Sequence, residues 1–226
     1  MTATSGLTQY WEQGDALTHL VAVLLLAMSL LSWIIALYQA WNLRAARRGV
    51  SPAIAGFWAA ASPDLALAAL RAARADTWLS PLALAALYPD QALDGGAAPS
   101  LAARASHADR VTRALRDVLL VLQRRIDAGQ TWLATIAGAA PFVGLLGTVW
   151  GIYHALMGVA GSDQPSITAV AGPVGEALIM TALGLAVAIP ALVAYNLLGR
   201  SGRMLHDVLD GFAGDLQRLF GAGEER

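Results

Sequence analysis

The chain alternates between long apolar stretches and segments in which apolar residues recur every three or four positions. Three of the apolar stretches are long enough to cross a hydrocarbon core, which takes about 20 helical residues at about 1.5 Å of rise each. Leu17 to Trp41 and Thr131 to Ala160 carry no charge, and Ile167 to Gly199 carries only Glu176. Each predicts a membrane-spanning helix. The first lacks a basic leader and a small-residue cleavage site, so it reads as an uncleaved span and not as a signal peptide.

Elsewhere the pattern changes to a helical period. Ser100 can cap a helix in which Val111, Leu115, Val118, Leu119, Leu122 and Ile126 share a face, while Arg104, Arg113, Arg116 and Arg124 occupy others. The sequence shows no stop before the second span, so one unbroken helix from Ser100 to Ala160, about 90 Å long, is expected. In the tail, Leu205, Val208, Leu209, Phe212, Leu216, Leu219 and Phe220 form a similar stripe. Upstream, Pro52, Pro63 and Pro81 punctuate Ala-rich sequence and predict short helices, and "YPDQALDGGAAPS", residues 88–100, divides the middle segment. The fold class expected is an all-α integral membrane protein whose long helices extend into a cytoplasmic helical bundle. Helices lying in the membrane interface are the alternative for the amphipathic stripes.

Composition agrees with a bilayer as solvent, since 57% of the 226 residues are hydrophobic and 14% charged. Cysteine is absent, which excludes disulfides and thiolate metal sites. Charge supplies the orientation. All fifteen basic residues are arginine: eleven lie in 42–130, four follow Gly199, and none falls in 1–16 or 161–166. By the positive-inside rule the N-terminus is outside and the C-terminus inside. The expected order is an outer N-terminus (1–16), spans at 17–41, 131–160 and 167–199, a cytoplasmic helical region (42–130), an outer connector (161–166) and a cytoplasmic amphipathic helix (200–226). No uniform basic surface for nucleic acid is present.

The candidate chemistry lies in the last two spans. Counted from the outer turn, Thr148, Thr181 and Glu176 lie about 18, 21 and 14 Å deep, near the midplane. An ionised acid there costs at least about 2.5 kcal/mol, so Glu176 should face a bundle interior or water. Either it is functional or it merely bonds a neighbouring helix, and no Lys or Arg lies in any span to pair with it. Gly144, Gly147, Thr148, Gly151, Ala155 and Gly158 fall within about 100° of arc, which predicts close helix packing. Thr148, on the same stripe, can bond back to its own helix or donate into a cavity. Pro141 and Pro190 fall near the inner hydrocarbon boundary as boundary or kink residues. His154 has no ligand-spaced neighbour, so no metal is expected. No nucleophile elbow, Walker A, zincin or dinucleotide fingerprint occurs in a suitable context, so neither an enzyme nor a cofactor is expected.

"APFVGLLGTVWGIYHAL" (140–156) and "VAGPVGEALIMTALGLAVAIPALVAYN" (170–196) resemble the signature of the MotA/TolQ/ExbB proton-channel family, in its ExbB branch more than its TolQ branch. MotA proteins, with four spans, are less similar. The resemblance implies an inner-membrane subunit that harvests the proton-motive force. It implies a pentamer enclosing an ExbD-like single-span partner whose aspartate carries the proton. With a TonB-like protein, such a complex drives outer-membrane uptake of siderophore iron, haem or cobalamin. A TolQ-like role in envelope maintenance and a non-conducting scaffold are the alternatives. The family's third-span glutamate matches Glu176, and its pore threonines match Thr148 and Thr181.

Overall fold

A computed structural model describes residues 16–73, 75–89, 106–160 and 167–221. The described residues form six helices: α1 (Ala16–Trp58), α2 (Pro63–Ala72), α3 (Asp76–Leu87), α4 (His107–Asp127), α5 (Gln130–Ala160) and α6 (Ile167–Gly221). Three helical stretches are long and apolar enough to cross a membrane: α1, α4 together with α5, and α6. Their outward residues agree with a lipid environment. Ile34, Leu37, Tyr38 and Trp41 on α1 are more than half exposed, an apolar surface that water would not tolerate.

Local chemistry explains several helix ends, and two expectations need correction. Pro63 opens α2 at its first turn behind Ser62, whose hydroxyl accepts from the Leu65 N–H. That is a position where a missing N–H costs nothing. Pro52 and Pro81, by contrast, interrupt nothing and lie inside α1 and α3. Buried Val50, Ala53 and Phe57 flank Pro52, so packing on both sides holds the helix across the lost hydrogen bond. The second correction concerns the unbroken helix expected from Ser100 to Ala160. Ser100 lies outside the described residues, and the cap observed is Ser106, whose hydroxyl accepts from the Asp109 N–H at 3.1 Å. The helix then stops at Asp127 and restarts at Gln130. Gly129 takes φ 84°, and its carbonyl accepts from the Leu133 N–H at 3.0 Å to begin α5. Arg124 and Arg125 in the last turn, followed by that glycine, are a C-terminal signal that the apolar period alone does not reveal. The span at 167–199 runs without a break into the tail as one 55-residue helix, α6.

The chain divides into two compact units, residues 1–38 with 129–197, and residues 39–128 with 198–226. In the first, α5 and α6 run antiparallel with their backbones in contact. A Cβ built on Gly144 would lie 2.6 Å from the Met180 carbonyl oxygen and 3.1 Å from the Gly184 Cα. One on Gly184 would lie 2.7 Å from the Ala140 carbonyl oxygen, and one on Gly151 would lie 2.8 Å from the Ala177 Cβ. This register sets Gly144 opposite Gly184 and Gly151 opposite Ala177. Small residues permit such an approach in a solvent that offers helices no hydrophobic drive to associate. Helix α1 joins along one edge, where Val21 and Leu25 pack with Ala140, Met180 and Ala188.

The second unit is an all-helical core. From α4 it buries Val111, Ala114, Leu115, Leu122 and Ile126, and from α6 Leu205, Leu209, Phe212, Ala213 and Leu216. Val118 and Leu119 are only half-buried, while Val208 and Leu219 are exposed, so the buried stripes are narrower than their sequence pattern. Phe57 meets Phe212 edge-on at 5.3 Å, and the Arg125 guanidinium stands 5.4 Å from the buried Trp78 ring. The Gln217 amide donates to the Thr112 hydroxyl at 3.0 Å, tying α6 to α4.

Two expected outcomes follow from these contacts. Gly129→Ala should lower the melting stability of the detergent-purified protein by about 1–2 kcal/mol, the cost of a left-handed alanine. Were the helix continuous there, the same change would stabilise by about 1 kcal/mol. Gly144→Ile should lower the melting temperature markedly. Gly158→Ile, at a position whose Cβ meets nothing within 4 Å, should leave it near wild type.

Candidate proton-path site

The hairpin register brings two of the three candidate pathway residues together. Thr148 stands one turn from Gly144 on α5, and Thr181 stands just short of Gly184 on α6. Their hydroxyls meet, Thr181 donating to Thr148 at 3.3 Å. Thr148 in turn donates to the Leu145 carbonyl at 2.7 Å, so it bonds back to its own helix. Both hydroxyl protons are therefore engaged inside the hairpin, and the outer end of the chain offers the lone pairs of Thr181 as acceptors. Thr148 is only 4% exposed, whereas Thr181 is half-buried. Of the two, Thr181 is the one that presents appreciable surface in a single chain.

Glu176 is not part of this pair. It precedes Thr181 by five residues, which places it about 7.5 Å along the helix and about 140° around it. It lies one turn before Met180, the residue that meets Gly147 and Val21 at the edge shared with α1. Glu176 is thus on a different face of α6 from Thr181. The Glu176 carboxyl is half-buried and makes no hydrogen bond or ion pair among the described residues.

The remaining sequence candidates fall around this centre. Gly147 faces Met180 and Val21, with a built Cβ 3.1 Å from each, and Ala155 is half-buried further along the stripe. Gly158 meets nothing. Pro141 and Pro190 lie inside α5 and α6, which continue through both, and Pro173 lies inside α6 as well. His154 is exposed, its Nδ1 3.2 Å from the Trp150 carbonyl oxygen and its ring 4.5 Å from the Trp150 ring.

Gly184 was not among the residues singled out from the sequence, yet it makes the closest backbone contact from the α6 side. A signal existed: Ala177, Gly184, Ala188 and Ala191 recur at seven, four and three residues, a small-residue stripe that complements the one on α5. Without the antiparallel register, nothing linked that stripe to its partner.

The chain is similar to known proteins. The sequence model of the MotA/TolQ/ExbB proton channel family matches residues 87–210, which include α4, α5 and most of α6. The biopolymer transport protein ExbB of Neisseria meningitidis serogroup A is 41% identical over 206 residues, covering 91% of this chain and 93% of its own. The biopolymer transport protein ExbB of Xanthomonas campestris pv. campestris (strain B100) is 41% identical over 220 residues, covering 93% and 84%. The Tol-Pal system protein TolQ of Pseudomonas aeruginosa is 29% identical over 228 residues, covering 94% and 92%. With three apolar helices of spanning length, a matched segment exceeding half the chain and relatives aligned nearly end to end, this multi-pass membrane protein belongs to the MotA/TolQ/ExbB proton channel family.

Proposed function

We propose that this protein is an ExbB-like subunit of a bacterial inner-membrane complex that passes protons inward and converts the proton-motive force into work at the outer membrane. The observation that carries the reading is the joined pair of hydroxyls, Thr181 to Thr148, inside an otherwise apolar hairpin, with Thr181 keeping part of its surface exposed. In an oligomer whose copies turn that surface inward, Thr181 lines the lumen at the depth where a partner's carboxyl would exchange its proton. A pentamer around an ExbD-like single-span helix, acting with a TonB-like protein in the uptake of siderophore iron, haem or cobalamin, is the assembly we favour. The 41% identity to two proteins named ExbB, against 29% to the named TolQ, supports this over a Tol-Pal role.

Each residue then has a part. Thr181 accepts a hydrogen bond from an incoming donor, and Thr148 orients it through its own bond to Leu145. Glu176, half-buried and without a partner among the described residues, sets the charge environment and takes its partner from a neighbouring chain or from water. The energy scale is adequate. One proton crossing releases about 2.3 kcal/mol per 100 mV, close to the cost of exposing an ionised acid at midplane. The arginine distribution orients the chain with its N-terminus outside, leaving residues 42–130 and the tail in the cytoplasm.

Two measurements test the proposal. In vesicles holding the complex with its single-span partner, Thr181→Val and Thr148→Val should each lower proton flux by roughly tenfold or more, and Thr181→Ser should retain most of it. If flux and energised growth persist in both Val variants and in Glu176→Ala while assembly is intact, the channel reading fails. Because the chain has no cysteine, single cysteines report sidedness cleanly. One replacing Ser106 or Ala128 should react with an impermeant maleimide only from the cytoplasmic side. Labelling from the outer face would overturn the orientation.

A further inference from the structure

We infer that Gly184, with Gly144 facing it, is a positioning residue of the hydroxyl pair: the contact of the two backbones sets the distance between Thr181 and Thr148. The inference rests on the reading of those threonines as part of the proton path. The pair is bracketed along the hairpin by two close glycine contacts of α5 and α6. On one side a Cβ at Gly144 or Gly184 would enter the opposing backbone, at 2.6 and 2.7 Å from carbonyl oxygens. On the other, a Cβ at Gly151 would meet Ala177 at 2.8 Å. Glycine is not dense here by composition alone, because Gly138, Gly158, Gly172 and Gly175 on the same two helices meet nothing within 4 Å.

Three features make the hydroxyl distance sensitive to that contact. The 3.3 Å separation of the two oxygens already exceeds the usual O–H···O range of about 2.5–3.0 Å, so there is no slack. Both side chains are β-branched and restricted at χ1, and Thr148 is further held by its bond to Leu145. Neither can follow a retreating helix. Finally, the atom a Gly184 side chain would meet is the carbonyl oxygen of Ala140, which has no rotamer to escape into. Restoring an ordinary carbon-to-oxygen contact of about 3.3 Å requires α6 to withdraw by about 0.6 Å. The hydroxyls would then stand nearly 4 Å apart, outside hydrogen-bond range and too close for a water to enter between them.

The test uses the reconstituted complex and compares Gly184→Ala, Thr181→Val, the double variant, and Gly138→Ala as the control with open space. Gly184→Ala should lower proton flux by about tenfold or more while oligomer mass is unchanged, and Gly138→Ala should match wild type. The double variant should be no worse than Thr181→Val alone, because the glycine change has already disconnected the hydroxyl that the second change removes. Losses that multiply in the double variant mean that Gly184 acts through packing only, and overturn the inference. Wild-type flux in Gly184→Ala beside a clear loss in Thr181→Val overturns it too, leaving the threonine path intact. Full flux in Thr181→Val defeats the path and the positioning role together. Should Gly184→Ala fail to assemble, Gly151→Ala wedges the hairpin from the other bracket and is read by the same comparison.

Discussion

The approach of α5 and α6, backbone against backbone at Gly144 and Gly184, is the contact on which the membrane unit depends. Lipid gives helices no hydrophobic reason to associate, so they hold together by dispersion between surfaces that fit. A bare strip on each helix allows carbonyl oxygens and Cα atoms to touch directly. Once the two backbones are in register, the rest follows within the unit. Met180 is seated beside Gly147 and Val21, α1 gains its edge of attachment, and Thr181 is carried to within reach of Thr148.

Inside the spans the few polar side chains mostly satisfy themselves locally. Ser32 donates to the Ser29 carbonyl, Thr135 to Thr131 and Thr148 to Leu145, each bonding back along its own helix. Such bonds remove the cost of an unpaired hydroxyl in hydrocarbon and leave the helix surface apolar. The Thr181 hydroxyl departs from this habit by crossing to another helix. The Glu176 carboxyl and the buried Trp150 indole N–H depart further, making no hydrogen bond among the described residues. An acid inside a membrane-spanning helix is costly to leave without a partner.

The second unit obeys different rules because its stripes are amphipathic. It buries leucines, valines and alanines together with Phe57, Trp78 and Phe212. Helix α1 and helix α6 each take part in both units without interruption, whereas α4 and α5 are separated by the turn at Gly129. The break falls where an amphipathic stripe gives way to a uniformly apolar helix, so α4 and α5 can each present their own buried face.

Read alone, the chain determined its helical class and its three apolar stretches of spanning length, and it supplied the residue types of the candidate pathway. Those depend on length, polarity and residue type, which are local properties. It also marked Gly144, Gly147 and Gly151 as a packing strip, because glycines at helical spacing are legible without a partner. It misread what depends on neighbours. Pro52 does not end α1 because Val50, Ala53 and Phe57 are buried on either side of it, and Gly129 does end α4 because its backbone turns left-handed. The depth count placed Glu176 level with the two threonines but could not place it around the helix axis. Only the tertiary structure decided that the Thr148 and Thr181 hydroxyls meet and that Gly184 is the counterpart of Gly144. Helical periodicity gives the angles on each helix separately. Their register against one another is set by where two backbones can touch, and that is a property of the pair.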